Sequence, residues 1–286
     1  MIGSIPNYEF LKNKMQGKFQ NYLFLFLLLF PFLLSACNTI SEDRLLAFKN
    51  QSSRQIFQNG EVELAKRNYY DAISHFEALE VLYPYSPYSE QAQLDLIYAY
   101  YENDDYPSAT ATAERFIRLY PRSRSVDYAY YMKGMAEFEQ DRGWLQRVFA
   151  IDVAQRDPGI SRQAFADFAE LIRLYPKSTY APDARQHMIY LKNLFARHEL
   201  CVAEFYLRSE AYVAAANRAN MIVQHYQGAA VMPNALEILV RAYQGLHLLE
   251  PAQKAIEVLQ YNYPSWPSLA ELKMAQTQLV KGVSKR

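Results

Sequence analysis

Few residues of this chain have the type and spacing for chemistry. The five histidines are His75, His187, His198, His225 and His247. A metal site needs such ligands gathered on one face, typically about three to five positions apart. Only His187 and His198, eleven positions apart and so about three helical turns, would share a face. Surface or helix-end histidines are the better reading. Acidic residues are scattered. Asp104-Asp105 falls in a turn-like segment, and Asp152 and Asp157 fall in an irregular one, which gives no support to a pair trading protons. The patterns GxxxxGK, GxGxxG, HExxH, CxxC and GxSxG are all missing. The chain is therefore expected to be no enzyme and to need no cofactor or metal. Cys201, in LCVAEFY on an expected helix, reads as a buried, inert thiol.

Cys37 is different. Lys12, Lys14 and Lys18 precede an apolar run from Tyr22 to Leu34, and Ser35-Ala36 leads into Cys37. A basic flank, a short apolar core and small residues before a cut describe a secretory signal. The run has 13 residues and contains Pro31, short of the roughly 20 that span a bilayer. A buried core helix is the rival reading. Leu34-Ser35-Ala36-Cys37 looks like a bacterial lipobox, which implies removal of residues 1–36 and lipidation of Cys37. Each buried methylene of an acyl chain contributes about 0.8 kcal/mol, so such an anchor is nearly permanent. Asn38 stands where retention at the inner membrane calls for Asp, so the expected location is the outer membrane, facing the periplasm. Lysines and arginines number 30, as do acidic residues, and a leader carrying Lys12, Lys14, Lys18 and Glu9 would leave the remainder slightly acidic. Net charge thus favours neither nucleic acid nor anionic lipid as a partner. Cys201 would be the one remaining thiol, which leaves no intramolecular disulfide.

The elements that must position any site are set by a repeat. FEALEVLYP ends at Pro84, AERFIRLYP at Pro121, FAELIRLYP at Pro176, ANMIVQHYQ at Gln227 and IEVLQYNYP at Pro264. The intervals are 37, 55, 51 and 37 residues, and Ala72, Ala109, Ala164, Ala215 and Ala252 each lie twelve positions before an end. A period of this size means stacked helical hairpins, which present curved surfaces to other chains. The expected fold is all-α, a superhelical stack of five tetratricopeptide-type hairpins. Residues 37–52 read as a polar, lipidated tether. Repeats one and two occupy 53–123, repeat three 124–179 with an insertion at 141–160, repeats four and five 180–265, and a capping helix 266–286. In repeat one, Ala72, Phe76 and Leu79 follow helical spacing as one apolar stripe, Asn68 separates the two helices and Pro84 ends the second. In repeat two, helix A starts at Ser89, residues 102–107 form the turn and helix B runs from about Ser108 to Tyr120. The insertion is apolar at Trp144, Leu145, Val148 and Phe149, so it is expected to pack as a loop or short helix. From Pro182 to about Ser209 no glycine or proline occurs, which predicts one helix of roughly 25 residues protruding beyond its neighbours.

The chain has 24 tyrosines. Tyr83, Tyr120, Tyr175, Tyr226 and Tyr263 close the repeats, where a ring can pack on the next hairpin and its hydroxyl stay wet. Tyr85, Tyr88, Tyr98, Tyr100, Tyr101 and Tyr106 crowd around helix A of repeat two with Gln91 and Asp95. Rings beside amide and carboxylate groups suit an extended peptide, with core packing as the alternative for Tyr98 and Tyr101.

The segments PYSPYSEQAQLDLIYAYY, ERFIRLYP, VDYAYYMKG, RDPGISRQAFADFAELIRLYPKSTY and VAEFYLRSEAYVAAANR resemble the BamD (ComL-like) family, tetratricopeptide lipoproteins of the outer-membrane β-barrel assembly machine. The resemblance covers nearly all of the chain after Cys37. It implies a scaffold that binds the POTRA domains of BamA, a BamC-like companion lipoprotein and unfolded β-barrel precursors. It assigns the N-terminal repeats to precursor, hence a groove of Tyr85, Tyr88, Gln91, Asp95 and Tyr98. It assigns the C-terminal repeats to BamA, hence Tyr212 and Arg218, although Arg218 could equally be a solvated helix charge. Tyr226-Gln227-Gly228 departs from the Tyr-Pro ending and would loosen that helix end. A peptidoglycan- or pilus-associated repeat lipoprotein is the competing reading. A hydrolase is disfavoured because the repeats leave no room for a catalytic domain.

Overall fold

The computed structural model describes residues 45–142 and 158–283. The described residues form eleven helices and no strand. They are α1 (Ser53–Ala65), α2 (Tyr69–Leu82), α3 (Ser89–Glu102), α4 (Tyr106–Leu119), α5 (Val126–Arg142), α6 (Gly159–Leu174), α7 (Ala181–Arg208), α8 (Tyr212–His225), α9 (Met232–Gly245), α10 (Leu249–Asn262) and α11 (Leu269–Val283). Each helix packs on the next. Five A–B hairpins, α1/α2 to α9/α10, are therefore stacked and closed by α11. No described helix is long and apolar enough to cross a membrane.

Two kinds of turn set this geometry. Within hairpins, Arg67, Asp104, Glu210 and His247 take φ of 57–61°. In each case two hydrogen bonds close the helix end, as in Asn68 N–H to Glu63 C=O (2.9 Å) and Arg67 N–H to Leu64 C=O (3.0 Å). This is the Schellman arrangement, built here without its usual glycine. Between hairpins, the tyrosine that follows each B helix donates its N–H four residues back. Its carbonyl then accepts from the residue three ahead, for example Ser86 N–H to Tyr83 C=O (3.1 Å). The fourth such turn keeps this pattern without proline: Ala229 N–H reaches Tyr226 C=O at 3.0 Å. Gly228, at φ +81°, supplies the left-handed third position of a type II turn. The Gln227-Gly228 departure therefore changes the turn type and leaves the helix end intact.

Helix starts follow local chemistry. Ser52 and Gln55 form a reciprocal capping box ahead of α1. Helix α4 begins two residues before the expected Ser108, because Pro107 sits in the first turn, where its missing N–H costs nothing. Asp105 Oδ1 caps it by accepting from Ser108 N–H (3.3 Å). Helix α6 begins at Gly159. Most of the 141–160 insertion, with Trp144, Leu145, Val148 and Phe149, lies outside the described residues, as do residues 1–44 with Cys37.

Phe76, Phe116 and Phe168 are fully buried at the centres of three successive cores. A Cβ on Gly60 would come within 2.6 Å of the Phe76 ring, and one on Gly134 within 2.8 Å of the Phe168 ring. The A helix thus yields space where the B helix carries a large ring. The last core, under α7 to α11, is largely alanine, leucine and isoleucine. Two expectations change. Helix α7 has 28 residues, but it does not protrude: buried positions run from Ala181 to Ala203. Its Ala184, Leu191, Leu194 and Phe195 belong to the third core, and Ala196, Leu200 and Ala203 to the last. The end of the tether is also docked. Phe48 is buried against the first core, edge-on to His75 at 5.0 Å, and Gln51 C=O accepts from the Tyr83 hydroxyl at 2.7 Å. The Tyr83 hydroxyl is therefore bonded within the protein, not left to water.

Candidate functional site

The repeat period carries a site onto the A helices. Tyr88, Ser125 and Tyr180 occupy equivalent positions just before α3, α5 and α7, and Gln91 and Tyr128 are equivalent one turn on. The concave pocket between these helices holds about 260 Å³ and is lined by Gln91, Leu94, Asp95, Tyr98, Ser125, Tyr128 and Tyr180. The rings brace one another. Tyr180 stacks on Tyr131 at 4.9 Å and tilts against Tyr128 at 5.6 Å, and Tyr98 meets Tyr69 edge-on at 6.3 Å. The Tyr131 hydroxyl donates to Asp183 Oδ2 (2.7 Å), which fixes α5 against α7.

Asp95 is the charged group of this pocket. Its Oδ1 accepts from Gln91 Nε2 (2.9 Å), while Oδ2 is buried without a partner. Burial pushes its carboxyl up to about 6; the Gln91 bond opposes that and the Glu61 charge adds to it. Burial also raises the Tyr128 hydroxyl, with Tyr180 and Asp95 reinforcing, so Tyr128 stays a neutral donor at physiological pH. The pocket offers aromatic faces, hydroxyl and amide donors and one carboxylate acceptor. That suits holding a chain segment with apolar side chains and free backbone amides.

Of the expected groove residues, Gln91, Asp95 and Tyr98 come together here. Tyr88 does not: its ring stacks on Phe57 at 5.1 Å. Tyr85 is 98% exposed in the turn before α3 and lines no part of the pocket. Leu94, Ser125, Tyr128 and Tyr180 were missed, although intervals of 37 and 55 residues place Tyr128 over Gln91 and Tyr180 over Ser125.

The second expected pair sits on α8 but faces two ways. Tyr212 packs on α9, where a Cβ on Gly245 would come within 2.7 Å of its ring. Arg218 Nη1 reaches Glu199 Oε2 of α7 at 3.0 Å, and the Glu199 side chain is only 3% exposed. Arg218 is thus no free helix charge. His187 is sandwiched by rings, stacked on Phe168 (5.3 Å) and edge-on to Phe138 (4.6 Å), with Asp183 Oδ2 at 3.2 Å. No group of three metal-ligating side chains occurs among the described residues. Cys201 is half-buried, not fully buried as its sequence context suggested.

Comparison with known proteins gives one answer. The profile of the YfiO family, described as outer membrane lipoprotein, matches residues 49–265. The chain is 42% identical over 208 residues to the outer membrane protein assembly factor BamD of Vibrio cholerae serotype O1, covering 73% of this chain and 86% of that one. It is 37% identical over 239 residues to the same factor of Neisseria meningitidis serogroup A, covering 82% and 89%. It is 32% identical over 230 residues to that of Haemophilus influenzae, covering 80% and 86%. With a family match that spans all five hairpins, this chain belongs to the YfiO family of outer-membrane lipoproteins, the family of the BamD assembly factors.

Proposed function

We propose that this outer-membrane lipoprotein is a non-enzymatic scaffold of the β-barrel assembly machine, with the pocket between α3, α5 and α7 as the seat for unfolded barrel precursors. The observation that carries the reading is the juxtaposition of Tyr98, Tyr128 and Tyr180 with Asp95, whose Oδ2 lacks a partner. A precursor's last strand is extended and alternates apolar side chains with open backbone amides. Rings can cover the former, while Gln91, Asp95 and the tyrosine hydroxyls meet the latter, without folding the strand. Binding differences between precursor, scaffold and barrel-forming partner then move the strand along. Barrel closure, which pairs every strand, completes the release.

Repeats four and five are the proposed seat of the BamA POTRA contact, through the exposed side of α8 that carries Val213 beside Tyr212. A BamC-like lipoprotein is the expected companion. Reversing the charge of Arg218 is a poor test of that contact, because it breaks the pair with Glu199. A photo-crosslinking residue in the full lipidated chain is better. Placed at Tyr98 or Tyr180, it is expected to capture a peptide copying a barrel's last strand, and a copy at Tyr85 is not. Placed at Val213, it is expected to capture a POTRA-bearing protein from outer membranes. Equal capture of a scrambled peptide at Tyr98 would sink the groove, and recovery of sacculus fragments in place of a barrel protein would sink the scaffold.

A further inference from the structure

We propose that the edge of the stack formed by the turns closing repeats two and three docks on the anionic lipid headgroups of the membrane that holds the Cys37 anchor. This rests on the chain being a membrane lipoprotein, and not on what fills the groove.

The two turns are alike and basic. RLYPRSR runs from Arg118 to Arg124 and RLYPK from Arg173 to Lys177. Arg122, Arg124 and Lys177 are exposed and form no ion pair among the described residues. Arg118 and Arg173 have side chains 68% exposed and only loose pairs along their own helices, at 3.8 Å to Glu114 and 3.4 Å to Glu170. Between these cations Leu119 and Leu174, 59% and 38% exposed, project from the last helical turns. The chain thus presents leucines ringed by guanidinium and ammonium groups, the composition that settles into a headgroup layer. A pocket of about 350 Å³ lies between the turns, lined among others by Ser123, Arg124, Leu174, Lys177 and Ser178. Its size and donors fit one phosphate headgroup. The carboxylate at the pocket, Asp127, already accepts from Tyr128 N–H at 2.9 Å.

Two further features make the membrane the occupant. All turns from a B helix to the next A helix lie at one edge, and the chain enters its first helix there, where Gln51 C=O meets the Tyr83 hydroxyl. Only seven residues lie between Cys37 and Leu45, eight chain steps with a reach of at most about 28 Å. The anchor and the basic turns therefore work within the same range of the bilayer. The opposite edge of repeat two is acidic, with Glu102, Asp104 and Asp105, and would be repelled. Acyl chains already hold the protein, so this face adds orientation more than affinity. It turns one edge of the stack to the membrane and leaves the A-helix groove open along the surface.

The test uses the full lipidated chain, with Cys201 replaced by alanine, in vesicles of phosphatidylethanolamine with phosphatidylglycerol or of phosphatidylcholine alone. A nitroxide is placed at exposed Thr179 or, at the other edge, at exposed Ser209. In anionic vesicles the label at 179 is expected to lose at least threefold of its collision rate with a water-soluble nickel reagent and to gain collisions with oxygen. The label at 209 is expected to stay wet. The triple variant Arg122→Glu, Arg124→Glu, Lys177→Glu should return the 179 label to its value in phosphatidylcholine. Equal access at 179 in both lipids overturns the proposal. So does membrane proximity that survives the triple variant, or a variant that leaves label 179 unmoved and instead loses an acidic protein partner.

Discussion

Two carboxylates, one in each half of the molecule, are treated in opposite ways. Glu237 of repeat five receives hydrogen bonds from Trp266 Nε1 (2.7 Å), Ser268 Oγ (2.6 Å) and Arg241 Nε (2.9 Å). These donors outweigh burial and hold its carboxyl below the usual range. Asp95 of repeat two has one donor and a carboxyl pushed up to about 6. The contrast is regional. Among the described residues, every buried side-chain polar atom left without a partner lies between Glu80 and Asp167. Glu137 and Asp167 follow Asp95: each keeps a buried oxygen unpaired, and burial together with the Asp167 charge raises the Glu137 carboxyl. The C-terminal half closes its hydrogen bonds internally and acts as framework. Repeats one to three keep buried polar atoms without partners, and of their residues Asp95 lines the groove, where a ligand or a proton can reach it. A cost in stability at a binding surface is the usual companion of function.

The largest expected effect breaks the framework. Arg218→Glu removes the cation nearest the buried Glu199 and leaves only Arg162, at 3.8 Å. Stripping a buried charge of its partner costs about 3–5 kcal/mol, which chemical denaturation should show as early loss of repeats four and five. Next, Glu237→Gln should lose about 1.5–3 kcal/mol, the worth of hydrogen bonds to a charged group. Because its folded pKa is lowered, that contribution is present above the unfolded value of about 4.5 and lost as pH falls through the folded one. The variant's acid limb should therefore be flatter in thermal melts across pH 3–5 (a range set from roughly these values). In the other half the sign reverses. Asp95→Asn should stabilise by about 1–2 kcal/mol at neutral pH, by relieving a charge buried with an empty lone pair. Its raised folded pKa means that wild type regains this stability as pH falls from about 6 towards the unfolded value of 3.8. The gain should therefore fade below pH 4, while affinity for a barrel-strand peptide drops at neutral pH. An Asp95→Asn chain that is less stable at neutral pH, or binds the peptide unchanged, would erase the distinction between the halves.

How much of this was legible depended on whether the signal was local. The Tyr-Pro endings and small alanines repeat in sequence, and the hairpins follow from them. The turns inside hairpins were legible only in part, at Asn68 and at residues 102–107. Their left-handed positions carry Arg67, Asp104, Glu210 and His247, where glycine would have announced them. The smallest prediction follows: a left-handed L-residue costs roughly 1–2 kcal/mol and glycine loses roughly 0.5–1 kcal/mol in chain entropy. Glu210→Gly or His247→Gly should thus gain about 0.5 kcal/mol, seen as a small rise in melting temperature. Tyr88 and Tyr98 could not be told apart by residue type, since a ring serves a core and a groove equally. Tyr128 and Tyr180 were recoverable from the period, but they lie on later helices than the tyrosine cluster that drew the eye. The Glu199–Arg218 pair joins two helices, and no local pattern links the two positions.

Helix α7 has a consequence for how the chain comes apart. Stacked repeats ordinarily unfold as neighbours that let go one at a time, since each touches only the next. Here a single rod of about 40 Å is shared by the third core and the last, with the boundary passing between Phe195 and Ala196. Unravelling that starts at α1 or at α11 must stop at this rod until both cores melt around it. Under a pulling force the protein should yield in a few large steps, not five even ones. Repeat three, beside the proposed groove, and repeats four and five, which carry the proposed partner surface, are thereby tied to one element.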